Sequence, residues 1–420
     1  MSRLLYTLLI ALASGPASML LALRDRRLQR AGHGWLERFG RVPPGTAPVA
    51  VWIHAASLGE VLAAAPLIQR LLAQHGERQV AVSCFTATGS QQIRRAWGER
   101  VVHAYLPFDL PAAVNRFLSA LAPRRAIIIE TELWPNLYRA VAARGIPLVI
   151  ANARLSERSL RGYRRLPGLI GEALGACTLV AAQSDDDAAR FRALGARTVT
   201  TTGNIKFDVE VPSAQLAQGA ALRAQLGTDR PIWIAASTHE GEEAAALTAH
   251  SHLLQSQPDA LLILVPRHPQ RFEACWNLLA ASGLRGARRS EDGGNAQTQV
   301  YFGDSLGEMF VYLGAADLAF VGGSLAAIGG HNILEPAAVG VPVLFGPHMQ
   351  NFAAARQLLL GRGGTEVGDA AALAAALSSA FADRHRLRAE GQAAQEAVAA
   401  NRGALQNLLR ALTELPTPLP

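Results

Sequence analysis

Four groups of residues in the chain have side chains suited to chemistry. Glu60 closes the turn His54-Ala-Ala-Ser-Leu-Gly-Glu60, which ends an apolar strand pattern and opens a helical one. A carboxylate there suits a general base, and it equally suits stabilisation of a helix N-terminus, which would favour the ionised form and leave a weaker base. Position alone leaves the two readings level. Glu130 ends the apolar run Ile127-Ile128-Ile129 and precedes Thr131, Glu132 and Trp134-Pro135. Strand-end carboxylates in an open α/β sheet are often functional, although one of the two acids could cap the next helix. Lys206 is the one lysine among 40 Lys and Arg residues. In a chain that otherwise uses arginine, this marks a position needing a compact ammonium rather than a planar fork; chance survival is the alternative. The fourth group combines Pro266-Arg267-His268-Pro269 with the glycine-rich turns Gly322-Gly323-Ser324 and Gly329-Gly330-His331-Asn332, the last leading into Leu334-Glu335-Pro336. Basic side chains and glycine turns before a helix suit phosphate, while Asn332 and Glu335 offer hydrogen bonds to a ribose diol.

A metal is not expected. His331 and Glu335 stand four apart but lack an evident third ligand. Asp185-Asp186-Asp187 reads as the acidic first turn of a helix rather than a D-x-D site. Cys84, Cys177 and Cys275 are odd in number and far apart, so they read as small core residues in a reducing compartment. No G-x-G-x-x-G follows the first strand, which counts against a dinucleotide oxidoreductase, and no phosphate-loop or H-E-x-x-H motif occurs.

The elements that must hold these groups follow from hydrophobic periodicity. From Pro48 onward, short β-branched runs alternate with helical patterns, the signature of parallel sheets covered on both faces. Strands are expected at Val49–His54, Gln79–Phe85, Val101–Leu106, Ala126–Glu130, Pro147–Ala151 and Leu179–Ala182, then again at Ile232–Ala236, Leu261–Val265, Gln299–Phe302, Leu318–Val321 and Val343–Phe345. The polar stretch Val211 to Gln218 reads as a linker, and Ala370 to Leu412 as terminal helices. A length of 420 residues fits two such domains, and ligands of open α/β sheets bind at the carboxyl edges of their strands.

The N-terminus adds a membrane signal. Leu4 to Leu23 carries no charge and is followed by Arg24, Arg26, Arg27 and Arg30, which favours a cytoplasmic body behind an anchor over a secretory signal; a buried or surface amphipathic helix, which Ser14, Gly15, Pro16 and Ser18 permit, is the third reading. A net charge of +7 points to anionic partners, and Arg154, Arg158, Arg161, Arg164 and Arg165 lie in one short stretch suited to anionic lipid.

In order along the chain, the phrases Glu130-Thr-Glu-Leu-Trp-Pro-Asn136, Asn152-Ala-Arg-Leu-Ser-Glu-Arg158, Gly203-Asn-Ile-Lys-Phe-Asp208, Ala236-Ser-Thr-His-Glu-Gly-Glu-Glu243, Val265-Pro-Arg-His-Pro269, Gly307-Glu-Met309, Gly329-Gly-His-Asn332 and Gly346-Pro-His348 join the Glu60 turn. Together they resemble the 3-deoxy-D-manno-octulosonic acid (Kdo) transferase family over nearly the whole chain. The resemblance implies an α/β fold of the GT-B type, with two Rossmann-like doubly wound domains facing a central cleft. The chain would then divide into a membrane anchor at 1–24 and the two domains, acceptor-binding at 25–211 and donor-binding at 212–420. It implies inverting transfer of Kdo from CMP-Kdo to the lipid A precursor on the cytoplasmic face of the inner membrane, with no cofactor, no metal and no nucleic-acid partner. By that similarity Glu60 matches the base, and Glu130 and Lys206 match residues that stabilise the transition state. Pro266, Arg267, Gly307, Glu308, Met309, Asn332, Ile333, Leu334 and Glu335 match the segments that contact CMP. Members often carry an arginine where this chain has Ile328. The competing readings are a GT-B enzyme with another nucleotide sugar and a membrane-tethered nucleotide- or lipid-binding protein without turnover.

Overall fold

A computed structural model describes residues 2–26, 36–291 and 293–415, with the side chains of 18–26 left out. The chain forms two compact units, one of residues 1–208 with 403–420 and one of residues 209–402.

The first unit is built on a seven-stranded sheet of β1 (Val51–His54), β2 (Val80–Cys84), β3 (Val102–Tyr105), β4 (Ala126–Ile129), β5 (Leu148–Ala153), β6 (Leu179–Ala182) and β7 (Val199–Thr201). Their order is β3-β2-β1-β4-β5-β6-β7, and every pairing is parallel. The strands are apolar almost throughout because helices cover both faces. Trp52, Ile128 and Ile150 pack with Phe117, Leu137 and Tyr138 on one side. On the other, Ile53, Ile127 and Ile129 pack with Leu67, Ile68, Leu408 and Leu412. These last two leucines belong to the helix Ala404–Thr413, whose burial carries it into the first unit. The second domain expected at 212–420 therefore loses its last helix to the first unit.

The second unit repeats the plan with β8 (Ile232–Thr238), β9 (Leu261–Pro266), β10 (Gly286–Arg288), β11 (Val300–Phe302), β12 (Leu318–Val321), β13 (Val343–Phe345) and β14 (Gly364–Glu366), in the order β10-β11-β9-β8-β12-β13-β14 and again parallel. In both sheets the winding reverses once, between β1 and β4 and between β8 and β12. In each sheet taken by itself, the carboxyl ends of the two strands that flank the reversal mark the place where such sheets bind ligands.

Two expectations change locally. The stretch read as a linker enters the helix Ser213–Leu226 at its third residue, because Leu222 and Leu226 bury against the second core. The apolar N-terminal run forms the helix Arg3–Arg26, with Pro16 inside it. No helix among the described residues is long and apolar enough to cross a membrane. Of the basic cluster that follows, Arg27 and Arg30 lie outside the described residues. The three cysteines are free and buried, as expected of core residues.

Candidate active site

In the first unit, β1 and β4 bring the two expected carboxylates to the reversal of the sheet. Ser57 caps the helix Leu58–His75, its hydroxyl accepting from the Glu60 amide at 3.4 Å. The Glu60 carboxylate turns back to accept from the Ala56 amide at 2.7 Å and from the Ser57 hydroxyl at 3.0 Å, a reciprocal arrangement set by the Ser-x-x-Glu spacing. Both readings of Glu60 are thus realised in one side chain. Burial outweighs those hydrogen bonds and, with the nearby charges of Glu130 and Glu132, raises its pKa to about 7. That is opposite to the low value expected from the helix terminus alone, and it suits a general base near neutral pH.

Glu130 lies just past β4 with φ of +59°, a left-handed conformation that a side chain rarely adopts. Its carboxylate accepts from Lys206 Nζ at 2.8 Å. Lys206 sits in a single 3-10 turn, Ile205–Phe207, after β7. Asn204 accepts from the Lys206 amide, and the buried Asn152, itself at φ +54°, accepts from the Ile205 amide at 3.0 Å. The chain's one lysine is therefore not an isolated phosphate donor but half of an ion pair. Glu132 does not cap the next helix. Its carboxylate accepts from the Trp134 indole N–H at 3.1 Å, and burial raises its pKa, with the charge of Glu130 adding to the effect.

In the second unit the expected donor residues gather at the carboxyl edge of the sheet. Pro266 ends β9, and Arg267 follows it, exposed, its amide donating to Thr238 O at 3.0 Å. Gly307, Glu308 and Met309 follow β11. Gly307 takes a positive φ, Met309 opens the helix Met309–Ala315, and Glu308 is held by Arg289 at 2.9 Å, which lowers its pKa. Asn332 Oδ1 accepts from the Leu334 amide, and Asn332 Nδ2 donates to Glu335 at 3.1 Å. Ile333 and Leu334 point into the core, 0% and 1% exposed, so only their backbone can reach a ligand. Ile328 is half exposed and apolar.

The turn Gly322-Gly323-Ser324 departs from expectation. The Gly322 amide donates to Ala236 O, and the amides of Gly323 and Ser324 are already occupied by the carboxylate of Glu242, which is 2% exposed. Glu242 accepts from the amides of Gly323 (2.7 Å), Ser324 (3.0 Å), Leu325 (2.9 Å), Ala326 (3.1 Å) and His239 (2.9 Å). A protein carboxylate fills the place sequence reading gives to a phosphate. Above it, His239 and His331 meet with their Nε2 atoms 2.8 Å apart and rings inclined by 7°, while His268 stands edge-on to His239 at 5.2 Å. Glu242 and His239 went unassigned because their signal, the phrase Ala236-Ser-Thr-His-Glu-Gly-Glu-Glu243, gives no hint that its acid folds back under a turn some eighty residues later. Among the described residues no group of three His, Cys, Asp or Glu side chains is arranged to hold a metal ion.

Comparison with known proteins gives these groups a context. A family model described as 3-deoxy-D-manno-octulosonic-acid transferase (kdotransferase) matches residues 33–209. The 3-deoxy-D-manno-octulosonic acid transferase of Haemophilus influenzae is 40% identical over 419 residues, which cover 97% of each chain. That of Bordetella pertussis is 40% identical over 437 residues, covering 99% of each. Among solved structures, the UDP-GlcNAc 2-epimerase from Neisseria meningitidis bound to UDP-GlcNAc is 13% identical with a TM-score of 0.51, covering 86% of this chain and 99% of that one, and so shares the fold alone. With identity of this order sustained from end to end of two relatives, the chain belongs to the 3-deoxy-D-manno-octulosonic acid transferase family.

Proposed function

We propose that this glycosyltransferase transfers Kdo from CMP-Kdo to the lipid A precursor with inversion and without a metal, at the cytoplasmic face of the inner membrane. The observation that carries the reading is the convergence of Glu60 with the Glu130–Lys206 pair at the sheet reversal of the first unit. In this reading the first unit takes the acceptor and the second takes the donor. Glu60, whose pKa of about 7 leaves it half ionised at neutral pH, removes the proton from the attacking hydroxyl. Glu130 and Lys206 stabilise charge that develops in the transition state, which needs fixed partners already in place before reaction. Pro266, Arg267, Gly307 to Met309 and Asn332 to Glu335 hold CMP, with Ile333 and Leu334 contributing backbone only.

The N-terminal helix attaches the enzyme to lipid. Leu4, Leu8 and Leu12 are 80%, 56% and 67% exposed on one side. On the other, Tyr6 donates to Asp109 at 2.9 Å and Thr7 meets Asn136, which ties the helix to the first unit. A helix with one docked and one apolar exposed side suits the membrane interface. No cofactor is called for, and the arginines of 154–165 suit the phosphates of lipid or acceptor. Mass spectrometry of the product formed from freshly generated CMP-Kdo and lipid acceptor tests the reading. A mass gain of whole Kdo residues is expected, and an unchanged acceptor overturns it.

A further inference from the structure

The mechanism above leaves one built arrangement unused. His239 follows β8 and His331 lies in the segment after β12, the two adjacent strands where the second sheet reverses. Their Nε2 atoms lie 2.8 Å apart, so one ring must donate through Nε2–H and the other must accept. In the neutral pair this fixes opposite tautomers. One ring then carries a hydrogen on Nδ1, and the other offers a lone pair there. Among the described residues neither Nδ1 meets a protein partner. The pair is not an accident of loose loops. Gly323, at φ +67°, leaves the room, since a Cβ there would lie 2.9 Å from the His331 ring. The Glu242 carboxylate fastens the Gly323 and His239 amides beneath it.

The charges around the pair are mixed. Glu242 and Glu243 favour the cationic form of His239, while Arg267 and Arg271 oppose it. His331 faces Arg267, His239 and His268. Glu335, beside Asn332, is near enough to feel Arg267. Burial and these cations hold both imidazoles below the usual range. An anionic ligand reverses the balance, because it offsets Arg267 and accepts from an Nδ1–H.

We infer that the His239–His331 pair is a proton-linked phosphate site, which takes up a proton from solvent as the nucleotide phosphate of the donor binds beside Arg267. The protonated pair shares one hydrogen between the two Nε2 atoms and presents an Nδ1–H from each ring. The inference rests on the second unit being the donor site. It adds a switchable donor pair at the phosphate, a role that suits imidazole because it changes charge near neutrality.

The test uses the full chain and the methyl diester of CMP. CMP itself loses its second phosphate proton near about pH 6 and would obscure the signal. Calorimetry in buffers of different ionisation enthalpy gives the protons bound per ligand. The expected result is net uptake below about pH 7 and affinity about fivefold or more tighter at pH 5.5 than at pH 8. His331→Gln and His239→Gln should each bind the diester with affinity independent of pH and without uptake, while His268→Gln should retain uptake. A loss of structure in one variant leaves the other to decide. Binding by the wild type without uptake, or uptake that survives in the folded His331→Gln and His239→Gln variants, overturns the inference alone. Failure of the wild type to bind the diester overturns the donor-site reading together with it.

Discussion

Lys206 Nζ lies 2.8 Å from Glu130 Oε1, and this pair joins the end of β4 to the turn after β7 across two intervening strands. Both side chains are about three-quarters covered, at 28% and 23% exposure, so the pair is neither a freely solvated surface bridge nor a fully desolvated one. Breaking it from either side should slow transfer for different reasons. Lys206→Ala leaves Glu130 without its counter-charge beside two further carboxylates, and turnover should fall more than donor affinity. Lys206→Arg keeps the charge but replaces a compact donor with a longer fork, and a loss of about tenfold, roughly 1.4 kcal/mol of barrier, is expected. Steady-state kinetics with both substrates checks this. Near-normal turnover in Lys206→Arg would show that a generic cation suffices.

The raised pKa of Glu60 fixes the pH dependence of the reaction. A base with a pKa of about 7 is protonated below that value, so kcat/KM should decline about tenfold per unit as pH falls from 7 to 5 and level off above about 8. Glu60→Gln should lose about 100-fold or more in turnover, keep CMP binding and show no such limb. An acidic limb that persists in Glu60→Gln would assign the base elsewhere.

The same shift has a thermodynamic face. A carboxyl that holds its proton more tightly when folded stabilises the fold below its unfolded pKa and loses that contribution as pH rises through about 7. Glu60→Gln should therefore be more stable than the wild type at pH 8 by roughly 1–3 kcal/mol, with the difference fading towards pH 4. Thermal melts at the two pH values measure it, and equal stability at both would remove burial as the cause of the raised pKa.

Glu242 serves as an internal anion, and its loss should resemble loss of a ligand. Glu242→Gln keeps the size but offers one acceptor oxygen where five amides converge, so destabilisation of about 2–4 kcal/mol is expected. A small anion such as formate should partly restore the smaller Glu242→Ala variant. Denaturant unfolding with and without formate is the measurement. A variant as stable as the wild type would mean that the turn holds itself.

Attachment to lipid should depend on the outward leucines and not on the docked side of the N-terminal helix. Leu4→Gln with Leu12→Gln should cut recovery on anionic vesicles by about tenfold or more while leaving transfer to detergent-dispersed acceptor intact. Tyr6→Phe, which removes the hydrogen bond to Asp109, should instead lower stability by about 1 kcal/mol. Unchanged vesicle recovery in the double variant would remove the lipid role of this face.

The sheets were legible because buried parallel strands announce themselves as unbroken apolar runs, and eleven were placed with small errors at the ends. β7, β10 and β14 were not. Each has three residues and lies at an outer edge of its sheet, with little apolar signal. Glu60, Glu130 and Lys206 could be found from residue type and strand ends, but their relationships could not. The rise in the Glu60 pKa depends on burial, and the Lys206 ion pair on a strand order that periodicity does not encode. The occupied glycine turn is illegible for a related reason: a short polar loop looks the same whether its anion is a substrate or a glutamate at the start of the helix after the neighbouring strand.

The Asp208 carboxylate accepts from the amides of Gly403 and Leu405, so the residue at which the chain leaves the first unit grips the segment at which it returns. In genetic terms the second unit is a cassette inserted between two adjacent points of its host. Residues 209–402 could be replaced by a short glycine bridge from 208 to 403 without opening the host's core. The first unit's complete set of carboxylates could then be studied, or paired with a different donor module, on a chain of about half the length.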